Sequence, residues 1–187
     1  MTGRDVMLRV ASFLAFYAGW FACVGGAAKG WTLLGPGVAV LLVAMHLLVA
    51  RERLREAALI AAVCAVGWAV ETLHVVGGAI VFGPSALWVW SVPGWMVALW
   101  VIFATTLTTS LAWLARRYVL SAVLGVVFGP LSYYYGLRFG AVEMPDLTYS
   151  LLFFATTWAA ALPLVLLIAD RLPRLRPENP MPAMSRA

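Results

Sequence analysis

The sequence predicts an all-α fold: a polytopic bundle of six transmembrane helices with both termini in the cytoplasm. Three observations predict it. Of the 187 residues, 64% are apolar and only 11% are charged, with a mean hydropathy of +0.93, whereas a soluble domain carries about 25% charged residues. The surplus apolar surface requires lipid as its solvent. Six apolar segments approach the ~20 residues that a helix needs to cross the hydrocarbon core at 1.5 Å per residue. With six spans, one side of the membrane collects Arg4, Arg9, Arg51, Arg53, Arg55, Arg116, Arg117, Arg171, Arg174, Arg176 and Arg186, and the other only Lys29 and Arg138. That asymmetry places the arginine side, and with it both termini, in the cytoplasm.

The predicted spans are residues 6–24, 33–50, 57–80, 93–115, 118–140 and 147–169. A secretory signal peptide is the competing reading of the first, because Arg4 precedes an apolar run and the sequence GGAA follows it. Asp5 and Arg9 interrupt that run, and the bulky Trp20 and Phe21 stand close to where cleavage would fall. No linker or low-complexity tract divides the chain, so residues 1–170 are expected to form one domain. Residues 171–187 hold Pro173, Pro177, Pro180 and Pro182 among arginines, a composition expected to give a disordered cytoplasmic tail.

Between the third and fourth spans, the uncharged segment VFGPSALWVWSV interleaves Trp88 and Trp90 with Pro84, and Trp95 follows Pro93. Indole rings favour the membrane interface, which is the expected place of this outer loop. A re-entrant loop lining a cavity is the alternative. Gly-Pro recurs at residues 35–36, 83–84 and 129–130, but the three positions are not topologically equivalent and carry no internal repeat.

Glu71 is the acidic residue deepest in an apolar segment, where an ionisable group costs about 2.5–3.5 kcal/mol on insertion scales. His74, three residues on, shares its helical face, so that a shared proton or a hydrogen bond between the two is the economical solution. Cys64, Gly67 and Gly78 continue the face, a small and polar stripe that points to other helices rather than to lipid. Two readings stay open for the pair: a proton relay or ligand site in the outer half of the bundle, and an interhelical clamp. Glu-x-x-His is also half of a di-iron carboxylate site, but no second copy exists, and His46 belongs to the cytoplasmic end of its span. No metal and no cofactor is expected. Cys23 and Cys64 sit inside apolar segments and read as small core residues.

In the fifth span, Gly125, Gly129, Ser132 and Gly136 fall on one face and form a candidate helix-packing stripe. Pro130 interrupts the backbone ladder there and gives Tyr133 a place in any resulting cavity. Arg138, near the outer interface, is expected either to snorkel or to pair with Glu71 or an anionic headgroup. The hydroxyl run Thr105, Thr106, Thr108, Thr109 and Ser110 is expected to bond to its own backbone or a neighbouring helix. No Walker loop, dinucleotide-binding glycine pattern or nucleophile elbow is present, and nucleic acid is not an expected partner.

The runs GWFACVGGAAKG, PGWMVALWVIFATTLTTSLAWL and GPLSYYYGLRFGA together resemble a family of small bacterial inner-membrane proteins classed as a domain of unknown function. The resemblance covers nearly the whole chain apart from its extremities. It implies a bacterial inner-membrane location and a compact helical bundle, offers no activity to transfer, and tilts the reading toward a lipid ligand. The leading expectation is a protein that binds or moves a lipid or apolar small molecule in an outer-half cavity, with Glu71, His74, Tyr133 and Arg138 as candidate ligand-binding residues. The alternative is a non-catalytic accessory subunit whose partners, besides membrane lipids, are other membrane-protein subunits. An intramembrane enzyme with Glu71 and His74 as acid and base is the weakest expectation, since no nucleophile or metal set accompanies them.

Overall fold

The computed structural model describes residues 3–173. Six helices dominate it: α1 (Gly3–Ala28), α2 (Leu34–Val49), α3 (Arg53–Val76), α4 (Gly94–Leu107), α5 (Tyr118–Phe139) and α6 (Leu147–Arg171). Four strands of two residues each, β1 (Val81–Phe82), β2 (Trp88–Val89), β3 (Val92–Pro93) and β4 (Val142–Glu143), lie in the loops, and a short 3-10 turn covers Ala112–Leu114. The all-α expectation holds. α1, α3, α5 and α6 are long and apolar enough to cross a membrane, and the chain is a membrane protein on that ground.

The helices alternate in direction, as interhelical hydrogen bonds show. At one end, Ser12 near the start of α1 meets Thr109 just past α4, and Arg55 at the start of α3 donates to the carbonyls of Ala169 and Leu172 at the end of α6. Tyr118, which opens α5, donates to Asp170 at that same end of α6. This is the basic end of the bundle. At the opposite end, the Thr32 hydroxyl accepts from the Ala86 amide, while Tyr149 and Ser150 of α6 donate to the carbonyls of Gly77 and Ala79.

α4 departs most from expectation. A span over 93–115 was expected, but the helix closes at Leu107 after 14 residues, about 21 Å at 1.5 Å per residue. The hydroxyl run supplies the reason. Thr105, Thr106 and Thr109 donate to the carbonyls of Ile102, Phe103 and Thr105, so side chains compete for the acceptors of the helical ladder. The Leu111 amide then returns to the Thr106 carbonyl in a tight turn. α4 is nevertheless the most enclosed helix: nine of its residues, among them Trp95, Trp100 and Ile102, are buried. It packs against α1, α2 and α3, while α6 packs on α5 and α3.

α3 is shifted toward its N-terminus relative to the expected 57–80, with Arg53, Arg55 and Glu56 already helical. Gly77 and Gly78 end it. Gly78 takes φ +68°, a left-handed conformation that glycine adopts without a Cβ penalty, and the Ala79 amide turns back to the His74 carbonyl.

The Trp-rich segment lies across the opposite end as a cap. β1 pairs antiparallel with β4, joining the α3–α4 and α5–α6 loops, and β2 pairs with β3. Trp90 is 87% exposed whereas Trp95 is buried beneath the loop. The tail expected to be disordered lies, from residue 174 onward, outside the described residues.

Candidate functional site

Glu71 lies in the last turns of α3, toward the capped end, on the face that also carries Gly67 and His74. α3 is held against α4 at Gly67, where a Cβ would overlap the Trp100 indole. One turn further along α3, Glu71 is therefore within reach of that ring's N–H. Trp100 Nε1 donates to Glu71 Oε1 at 2.9 Å, and the Tyr133 hydroxyl of α5 donates to the same oxygen.

His74 turns its ring toward α6. Its Nε2 lies 2.7 Å from Thr157 Oγ1, and its Nδ1 lies 3.5 Å from Glu71 Oε2. Glu71 and His74 have no solvent exposure and Tyr133 has 5%. Edge-to-face contacts from Tyr133, Phe153 and Phe154 enclose the imidazole, and Tyr133 stacks on Phe154 at 4.2 Å. Trp158 stacks on Trp100 at 5.0 Å. Within this cluster Glu71 Oε2, His74 Nδ1 and Trp158 Nε1 have no hydrogen-bond partner. The two residues thus tie α3 to α4, α5 and α6.

The structure brings Glu71, His74 and Tyr133 together and leaves Arg138 out. Arg138 is exposed, and no ion pair joins it to an acidic side chain among the described residues. A surface position satisfies a guanidinium through its long stem more cheaply than burial beside Glu71. In the packing stripe, a Cβ at Gly125 would meet the Trp158 backbone and one at Gly129 the Trp158 side chain, so α5 and α6 touch there. Ser132 donates to the Gly129 carbonyl of its own helix, and Gly136 has ordinary space beside Val142.

Glu71, His74 and Tyr133 are packed rather than set around open space. A cleft of about 300 Å³ lies nearer the capped end, among the loops, lined by residues that include Gly83, Pro84, Trp95, Val142 and Glu143. Trp95 and Trp100 both belong to α4 and lie about 7.5 Å apart along its axis, so the buried centre sits beneath the cleft.

Sequence reasoning missed Trp100 and Thr157 as partners. Gly67 marked where a large ring rests, but no sequence signal said which ring. It also missed a second polar cluster at the basic end, where Glu56 Oε2 lies 2.9 Å from His46 Nε2 and accepts from the Thr108 hydroxyl at 2.9 Å. Arg55 stands 3.5 Å from the other Glu56 oxygen. His46 and Glu56 are ten residues apart across a tight loop, so no helical spacing announces the pair. Among the described residues no three His, Cys, Asp or Glu side chains converge on one point.

No curated protein and no solved structure matches the chain. A family model does match, over residues 9–164, which takes in both the buried centre and the polar cluster at the basic end. The chain therefore belongs to the family described as "Protein of unknown function (DUF2878)".

Proposed function

We propose that this is a six-span protein of the bacterial inner membrane, with both termini in the cytoplasm, that binds or moves a lipid or another apolar small molecule in the outer half of its bundle. The observation that carries the reading is the position of a fully buried Glu71–His74 centre beneath a cleft of about 300 Å³ at the capped end. Ionisable residues at membrane depth are expensive, which makes such a position a functional-site candidate by default. A concave space of this size, lined by Trp95 and Val142 together with Glu143 and polar loop surface, is at the lower end of what small-molecule sites occupy.

Topology enters through the arginines. The basic end carries Arg51, Arg53, Arg55, Arg116, Arg117 and Arg171, which supports a cytoplasmic assignment, and the capped end then faces outward. α2 and α4, at 16 and 14 residues, are shorter than the ~20 residues of a full span. In this reading they cross together with the turns and loops that extend them.

The test is lipid retention. The protein is extracted in native-membrane nanodiscs, and co-purified lipids are quantified by mass spectrometry for wild type, Glu71→Gln and the cleft-filling Gly83→Phe. A species retained by wild type is expected to fall severalfold in Gly83→Phe and to change in amount in Glu71→Gln. An identical lipid complement in all three proteins would sink the reading.

A further inference from the structure

The hydrogen bonds around His74 determine more than proximity. The Thr157 hydroxyl has one hydrogen, and its Oγ1 lies 3.0 Å from the Phe153 carbonyl oxygen and 3.1 Å from that of Phe154 on its own helix, the usual acceptors of a helical threonine. With that hydrogen committed to the backbone, Thr157 Oγ1 accepts from His74 Nε2, which must carry a hydrogen. In a neutral imidazole the other nitrogen, Nδ1, is then a bare lone pair. It faces Glu71 Oε2 at 3.5 Å, and neither atom has any other partner. Two acceptors turned toward each other in a site without solvent exposure repel unless a hydrogen lies between them.

The charges around the pair lead to the same place. Glu71 is faced by His74 on its own helix, Trp100 on α4 and Tyr133 on α5, and His74 by Thr157 on α6; none of these neighbours brings a fixed positive charge. Arg138 is exposed and pairs with neither. A lone carboxylate here would be an uncompensated charge at membrane depth, which is expensive.

We infer that Glu71 and His74 together bind one proton between Oε2 and Nδ1, which makes the pair neutral as a whole and forms a buried proton site in the seam of α3 with α4, α5 and α6. The proton rests either on the carboxyl, which then donates to Nδ1, or on the imidazole, which then donates to the carboxylate. In both forms every polar atom of the pair gains a partner, and no outside cation is required. The inference is independent of any lipid or apolar ligand and concerns the state of the pair itself.

The proton is read in the full-length protein in lipid nanodiscs at neutral pH. The sequence has two histidines, so His46→Gln assigns the ¹⁵N signals of His74 without altering the buried centre. Infrared difference spectra between wild type and Glu71→Gln report the carboxyl group. A carboxylic-acid carbonyl band in wild type, lost in Glu71→Gln, establishes the first form. A carboxylate accompanied by two protonated ring nitrogens on His74 establishes the second. A carboxylate beside a His74 with only one protonated nitrogen would overturn the inference. Two protonated ring nitrogens, read with the pair intact, establish the second form even if Glu71→Gln fails to fold. In that event a carboxylic-acid carbonyl band of the wild-type protein that shifts on ¹³C-glutamate labelling establishes the first form, and its absence beside a singly protonated His74 overturns the inference.

Discussion

Glu71 is the residue on which the polar bonding of the buried centre converges. One oxygen accepts from Trp100 and Tyr133 and the other faces His74, so the side chain links helices that share little other polar contact. Replacing it with leucine removes the acceptor and leaves the Trp100 N–H, the Tyr133 hydroxyl and His74 Nδ1 buried without partners, at about 1–3 kcal/mol for each. Glutamine preserves the arrangement: its carbonyl oxygen accepts from Trp100 and Tyr133, and its amide donates to His74 Nδ1. Glu71→Leu is therefore expected to lower the unfolding midpoint in a detergent thermal melt by many degrees, and Glu71→Gln to stay within about 1 kcal/mol of wild type. Equal losses in both variants would show that shape, rather than hydrogen bonding, fixes this position.

Among the elements, the α5–α6 seam is the most extensive interhelical contact, and it is built on two glycines and one tryptophan. Trp158 fills the space opened by Gly125 and Gly129 while its other face stacks on Trp100, whose N–H binds Glu71. Pressure on the seam is thus transmitted to the buried centre. Gly129→Ala places a methyl group against the Trp158 side chain and is expected to cost about 1–3 kcal/mol, the usual range for overpacking. Gly25→Ala is the control, because a Cβ there meets nothing within 4 Å and alanine is the better helix former. Equilibrium unfolding of both variants followed by tryptophan fluorescence checks the pair. If Gly129→Ala is as stable as Gly25→Ala, the close approach of α5 to α6 contributes nothing.

For the whole molecule, the proposed threading, six crossings with the arginine end in the cytoplasm, makes a definite prediction. In a chain carrying Cys23→Ser and Cys64→Ser, a cysteine introduced at Ala86 is expected to react with a membrane-impermeant maleimide on intact spheroplasts. One introduced at Arg117 is expected to react only after the membrane is opened. Both positions are exposed, so access depends on sidedness rather than on packing. The opposite labelling pattern would reverse the topology, and labelling of both without permeabilisation would rule out the six-span reading.

Composition and arginine placement were enough to identify lipid as the solvent, to find six apolar segments and to pick Glu71 and His74 as neighbours on one face of a helix, because those properties belong to single segments. Gly125 and Gly129 were legible as a close-approach stripe for the same reason. Tertiary structure alone decided that Trp100, Tyr133 and Thr157 surround the pair, that Arg138 does not, that His46 meets Glu56, and that α4 stops at Leu107. Helical periodicity tells which side of a helix avoids lipid but not which helix it meets. A partner 29, 62 or 83 residues away along the chain is chosen by how the helices pack.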